Sequence, residues 1–118
     1  MDTIKTGRHV DQLKKRREQI AVTLRHLGRE QEEVERNTDW LDQAAYESRV
    51  HLLGCLTKWY VAEIGHIDQA LTRAEQRDYG LCAACHRPIE ERRLDAAPEA
   101  EFCGACQSMR EGLQSAQA

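Results

Sequence analysis

Four of the five cysteines stand in two C-x-x-C pairs, Cys82/Cys85 and Cys103/Cys106, with seventeen residues between the pairs. Each pair can set two thiolates on one side of a metal ion. Together they close a tetrahedral shell of the kind zinc prefers, with Zn–S near ~2.3 Å. Four cysteines leave no position open for water or substrate, so the expected role is structural and not catalytic. A redox reading needs one C-x-x-C pair inside an alternating α/β pattern, and that pattern is absent. His86 directly follows Cys85, but the shell is full without it. Cys55 is expected to be a small, partly buried apolar residue.

Two other groups could do chemistry. Asp39 and Asp42 lie between two periodic segments, in "RNTDWLDQAAYE". Asp39 suits an N-cap, and Asp42 sits three residues later, where a capping acid goes. An acidic point at the end of a helical hairpin is also suited to reaching into a partner. The second group is "KKRR", Lys14 to Arg17. Four successive residues face all sides of a helix, so a solvated surface is expected, with Arg17 extending outward from an apolar seam. Contact with an acidic protein surface or a nucleic acid is the competing reading.

The chain has 118 residues and a formal net charge of −3, which is not the basic excess of a nucleic-acid binder. The window "HLLGCLTKWYVAEIGHI" is broken by Lys58, Glu63 and two histidines, so no membrane span is expected. No apolar stretch of signal-peptide type is seen at the N-terminus. A cytoplasmic location follows, and in a reducing compartment paired cysteines favour zinc over disulfides. With one Phe, two Trp and three Tyr against 31% charged residues, a large compact core is excluded.

The elements that must position these groups are helices. Val10, Leu13, Ile20, Leu24, Leu27 and Val34, with Arg17 and Gln31 filling two slots, alternate steps of three and four. This is a heptad seam. Asn37 and Thr38 end it. Val50, Leu53, Leu56, Tyr60, Ile64, Ile67, Leu71 and Ala74 form a second seam, expected to stop near Asp78, before Gly80. Two long helices joined by a short turn run antiparallel. Arms of roughly 29 and 39 residues span about 43 and 58 Å, the longer second helix leading into the cysteine region. The expected fold is all-α. A coiled-coil hairpin over 1–78, with its tip at about 37–44, precedes a C4 zinc finger and short terminal helix over 79–118.

The stretch "YGLCAACHRPIEERRLDAAPEAEFCGACQ" resembles the zinc finger of the DksA/TraR family of bacterial transcription factors. The likeness rests on Tyr79-Gly80, Ile89, Arg93-Leu94, Ala96, Pro98 and both cysteine pairs. The family's hairpin tip carries D-x-x-D-x-A, matched by Asp39, Asp42 and Ala44. The resemblance covers nearly the whole chain.

It implies a non-enzymatic regulator, monomeric and without sequence-specific DNA binding, that binds RNA polymerase through its secondary channel and modulates promoter-complex stability. Asp39, Asp42 and Ala44 become tip effectors. Arg93, Leu94 and Pro98 become finger residues that shape docking, and one structural zinc is held by the four cysteines. Better-known members carry a further N-terminal segment before the arm, whereas this sequence starts close to it, which implies different docking. Members that respond to ppGpp carry basic residues where this chain has Ala97 and Gln107, and a lysine where it has His66. Weak or absent alarmone dependence is expected through that site. The family's usual glycine after the second cysteine is His86 here.

Two alternatives use the same features. A zinc-finger DNA binder shares the cysteine spacing, but it would carry a basic tail, and "QSMREGLQSAQA" has a single arginine. A transcript-cleavage factor also inserts an acidic-tipped coiled coil, its acids holding Mg²⁺.

Overall fold

The computed structural model describes residues 3–37 and 42–117. Four helices follow in order: α1 (Thr3–Arg36), α2 (Gln43–Glu75), α3 (Glu91–Ala96) and α4 (Gly104–Gln117). Among the described residues the one β feature is an isolated bridge between Leu81 and Pro88. The chain divides into two compact units: Arg16–Gly65, and Met1–Lys15 together with His66–Ala118.

The unit Arg16–Gly65 is made of the facing portions of α1 and α2. Ile20 and Leu27 from α1 and Leu53 from α2 are buried there, as the heptad seams require. Arg17 and Gln31, the two polar seam positions, are exposed. Two interhelical ion pairs give the direction of packing. Arg16 pairs with Glu63, and Glu30 pairs with Arg49. Fourteen residues forward along α1 correspond to fourteen backward along α2, so the helices are antiparallel and in direct register.

The second unit joins the start of α1 and the end of α2 to the cysteine region. Its core is His9, Leu13, Ile67, Ala70, Tyr79, Cys82, Ile89, Leu94 and Cys103. Side-chain bonds to backbone carbonyls tie the loops down. Tyr79 donates its hydroxyl to the Pro98 carbonyl at 2.8 Å, and Arg93 Nε donates to that of Phe102 at 2.9 Å. Arg73 reaches the carbonyls of Glu99 and Ala100 at 3.4 Å. The Arg110 guanidinium lies 4.3 Å over the Phe102 ring, a cation–π contact holding α4.

The helix lengths differ from those the seams suggest: α1 has 34 residues and α2 has 33. α1 begins ahead of its first apolar seam residue, because extending a formed helix adds a hydrogen bond for each residue fixed. α2 is shorter at both ends. Its first turn is capped by Asp42, and its last is closed at Arg77. There the Asp78 N–H bonds the Arg73 carbonyl at 2.8 Å and the Arg77 N–H bonds that of Ala74 at 3.3 Å. This is a Schellman closure with Arg77 in the left-handed conformation, φ 64°. Gly80, expected to stop the helix, instead supplies φ 86° at the start of the cysteine loop.

Candidate metal centre and hairpin turn

The first cysteine pair sits on a loop pinned at both ends. The Ile89 N–H donates to the Gly80 carbonyl at 2.7 Å, and the Cys82 N–H to that of Arg87 at 2.8 Å. The His86 N–H closes the knuckle on the Cys82 carbonyl at 2.9 Å, with His86 at φ 61°. That is the left-handed position where glycine is the easier residue. The second pair opens α4. The Gln107 N–H bonds the Cys103 carbonyl at 2.9 Å, so Cys106 lies in the first helical turn, where the dipole favours a thiolate. A bond from the Ala83 N–H to the Glu101 carbonyl, 2.9 Å, joins the two knuckles.

This framework brings the four sulfurs of Cys82, Cys85, Cys103 and Cys106 within 4.8 Å of one another. The Sγ atoms of Cys85 and Cys103 are 3.9 Å apart. Tetrahedral zinc with Zn–S near 2.3 Å needs sulfurs roughly 3.8 Å apart, so the donor set fits one ion. The electrostatics agree. Burial pushes the Cys82 thiol up, but the backbone N–H groups of Cys85, Cys103 and Ala84 outweigh it and bring it to about 6. Cys106 is pushed up to about 12, first by the sulfur of Cys103, then by that of Cys82 and by burial. One thiolate forms readily and the next is opposed. A dication at the centre removes the opposition and lets all four cysteines ligate.

The residues around the shell support it. Leu94 is fully buried, Arg93 ties α3 to the second knuckle, and the Pro98 carbonyl receives Tyr79. Burial pushes the Tyr79 hydroxyl up to about 12. His86 is exposed beside the shell and outside the cysteine group.

At the hairpin turn, Asp42 is the N-cap of α2. Its Oδ1 accepts the Ala45 N–H at 2.7 Å, and its carbonyl accepts that of Tyr46 at 3.0 Å. Ala44 is exposed in the first turn. Asp39 lies outside the described residues. At the other side of the turn, Asn37 Nδ2 donates to the Glu33 carbonyl at 2.7 Å and satisfies the end of α1.

The family model of the prokaryotic dksA/traR C4-type zinc finger matches residues 77–112. An uncharacterised protein of Aquifex aeolicus is 34% identical over 84 residues, 71% of this chain and 56% of that protein. The RNA polymerase-binding transcription factor DksA of Escherichia coli is 30% identical over 95 residues, 80% of this chain and 61% of DksA. The structure of transcription factor DksA2 from Pseudomonas aeruginosa superposes with a TM-score of 0.89 at 27% identity. It covers 98% of this chain and 89% of DksA2. The finger, residues 77–112, belongs to the prokaryotic dksA/traR C4-type zinc-finger family, and the chain as a whole is similar to DksA and DksA2. Its matches to these two curated relatives span about three-fifths of their length.

Within this DksA/TraR frame, two residues differ from expectation or were missed. Cys55 is exposed, not partly buried, because it lies off the seam, with His51 one turn before it. His9 is fully buried, its Nε2 2.8 Å from Asp95 Oδ1, with Arg8 on the same carboxylate at 3.2 Å. The His9 bond, with the Arg8 charge beside it, holds the Asp95 carboxyl below its usual range. No periodicity argument selects His9, since an imidazole counts as polar in a seam. Among the described residues, no helix is long and apolar enough to cross a membrane.

Proposed function

We propose that the chain regulates transcription by binding RNA polymerase, with the turn between α1 and α2 entering the secondary channel. The observation that carries this reading is the likeness to DksA2 over 98% of the chain, which includes the hairpin as well as the finger. The partner follows from the likeness to the RNA polymerase-binding transcription factor DksA of Escherichia coli. In this reading Asp39, Asp42 and Ala44 act at the tip, and the protein performs no chemistry of its own. The closed cysteine shell, which has no position for substrate, agrees with that. α4 carries one arginine, and it is engaged over Phe102, so the fold offers little for a DNA backbone after the last cysteine.

Alarmone dependence is proposed to be weak. Half-buried Ala97 has no charge to offer, Gln107 donates its amide to Glu111, and His66 stands where the family resemblance implies a lysine.

The test is in vitro transcription from a stable-RNA promoter, with wild type and Asp42→Asn, with and without ppGpp. Asparagine caps a helix as well as aspartate does, so this variant removes charge and keeps α2 intact. Wild type is expected to change promoter output, and Asp42→Asn to lose that effect while still binding polymerase. A wild-type protein with no effect overturns the reading. A strong enhancement by ppGpp overturns the alarmone part alone.

A further inference from the structure

Both long helices carry a glycine at one level of the hairpin. In the register set by the pairs Arg16 with Glu63 and Glu30 with Arg49, residue 28 lies opposite residue 51. Gly28 of α1 and Gly54 of α2 therefore stand within three residues of each other, about 4.5 Å along the axis. A methyl group at either position would meet no atom within 4 Å, and both positions are exposed. Packing does not call for glycine there. Each glycine nonetheless weakens its helix against alanine, by roughly fivefold in the local opening equilibrium.

The surroundings change at the same level. Each glycine follows a buried seam leucine, Leu27 or Leu53, and these two lie side by side in the register. The Thr57 hydroxyl donates to the Leu53 carbonyl at 2.8 Å, next to Gly54, a contact that bends helices. Beyond the leucines toward the turn, none of the described residues 28–37 and 42–52 is buried. Two helices packed together bend only where both yield, because a stiff helix splints a weak one.

We propose that the layer of Leu27 and Leu53 is a hinge within the arm. The root, 16–27 with 54–65, and the tip segment, 28–36 with 43–53, each stay helical. The tip segment swings about the leucine pair while the two glycines absorb the change in φ and ψ. Asp42 and Ala44 travel with it. The inference concerns the arm alone and holds whether or not RNA polymerase is the partner.

Residual dipolar couplings of the zinc-loaded full chain, in a weakly aligning medium, read the two segments separately. In the wild type the tip segment is expected to show lower alignment order than the root, with helical chemical shifts in both. The double variant Gly28→Ala/Gly54→Ala is expected to bring both segments to a single alignment tensor. Gly65→Ala, also in open space but with no glycine at its level, is expected to leave the difference in place. It separates a hinge from general stiffening by helix propensity. Four results would overturn the proposal: one tensor for both segments of the wild type, a difference that survives in the double variant, a difference that Gly65→Ala removes equally well, or coil shifts in the tip segment.

Discussion

Arg77 and His86 both hold left-handed backbone, φ 64° and 61°. For a residue with a Cβ that conformation costs about 1–2 kcal/mol, part of which glycine returns as greater freedom of the unfolded chain. Arg77 lies outside the metal shell, so it gives the cleaner test. Arg77→Gly is expected to stabilise the zinc-loaded protein by about 0.5–1 kcal/mol, read as a higher urea midpoint at unchanged slope. Tyr79 gives a second test. Its hydroxyl is buried and hydrogen-bonded, and its pKa is raised from 10.0 to about 12. Because the folded value lies above the unfolded one, its contribution to stability is complete below pH 10 and is lost as pH rises toward 12. In an alkaline absorbance titration, one of the three tyrosines should ionise last, and Tyr79→Phe should remove that late step. If all three ionise together in the wild type, the burial argument is wrong.

The two long helices carry their register in ion pairs as well as in apolar seams. Glu63 has a side chain 12% exposed, and its Oε1 receives Arg16 Nε at 2.6 Å. Oε2 is buried without a hydrogen-bond partner. Arg16→Ala therefore strands a mostly buried carboxylate, and a loss of about 1–3 kcal/mol is expected in urea melts. Pairing it with Glu63→Leu should recover most of that loss, since an apolar residue there leaves no charge to solvate. Recovery by the double variant separates stranded charge from lost packing. The seams themselves could be read from the sequence. Leu13, Ile20, Leu27, Leu53 and Ile67 are buried where the three-and-four spacing puts them. The helix ends could not be read so well. Asp39 and Asp42 are the same residue type three positions apart, and only geometry selects Asp42 as the cap. Likewise composition favours Gly80 as a stop, while Arg77 does the work because two carbonyls there need partners. The four ligands were legible because their spacing is their chemistry. The bond between His9 and Asp95 was not, since 86 residues separate the partners and neither carries a local signal.

For the molecule as a whole, the metal decides which of the two units can stand without help. The unit containing the finger buries Leu13, Ile67, Tyr79, Ile89 and Leu94, but it also gathers four thiols that repel one another once ionised. Its loops hang on backbone bonds that close around the cysteines, such as Cys82 to Arg87 and Ile89 to Gly80. A structural zinc site contributes on the order of 10 kcal/mol of folding free energy, more than such a core supplies by itself. The unit Arg16–Gly65 contains none of these ligands and relies on Ile20, Leu27, Leu53 and its two interhelical ion pairs. Chelation should therefore unfold the chain in parts. Hydrogen exchange in a strong chelator is expected to free the amides of Cys82, Ala83 and Ile89 first, while that of Leu53 keeps part of its protection. Far-UV ellipticity should fall but not vanish, because the helical segments of that unit, Arg16–Arg36 and Gln43–Gly65, held by one seam are marginal yet not absent. Readdition of zinc should restore both signals. Protection lost at the same rate in both units would mean that the hairpin cannot hold its register without the finger, and would make the metal the condition for the entire fold.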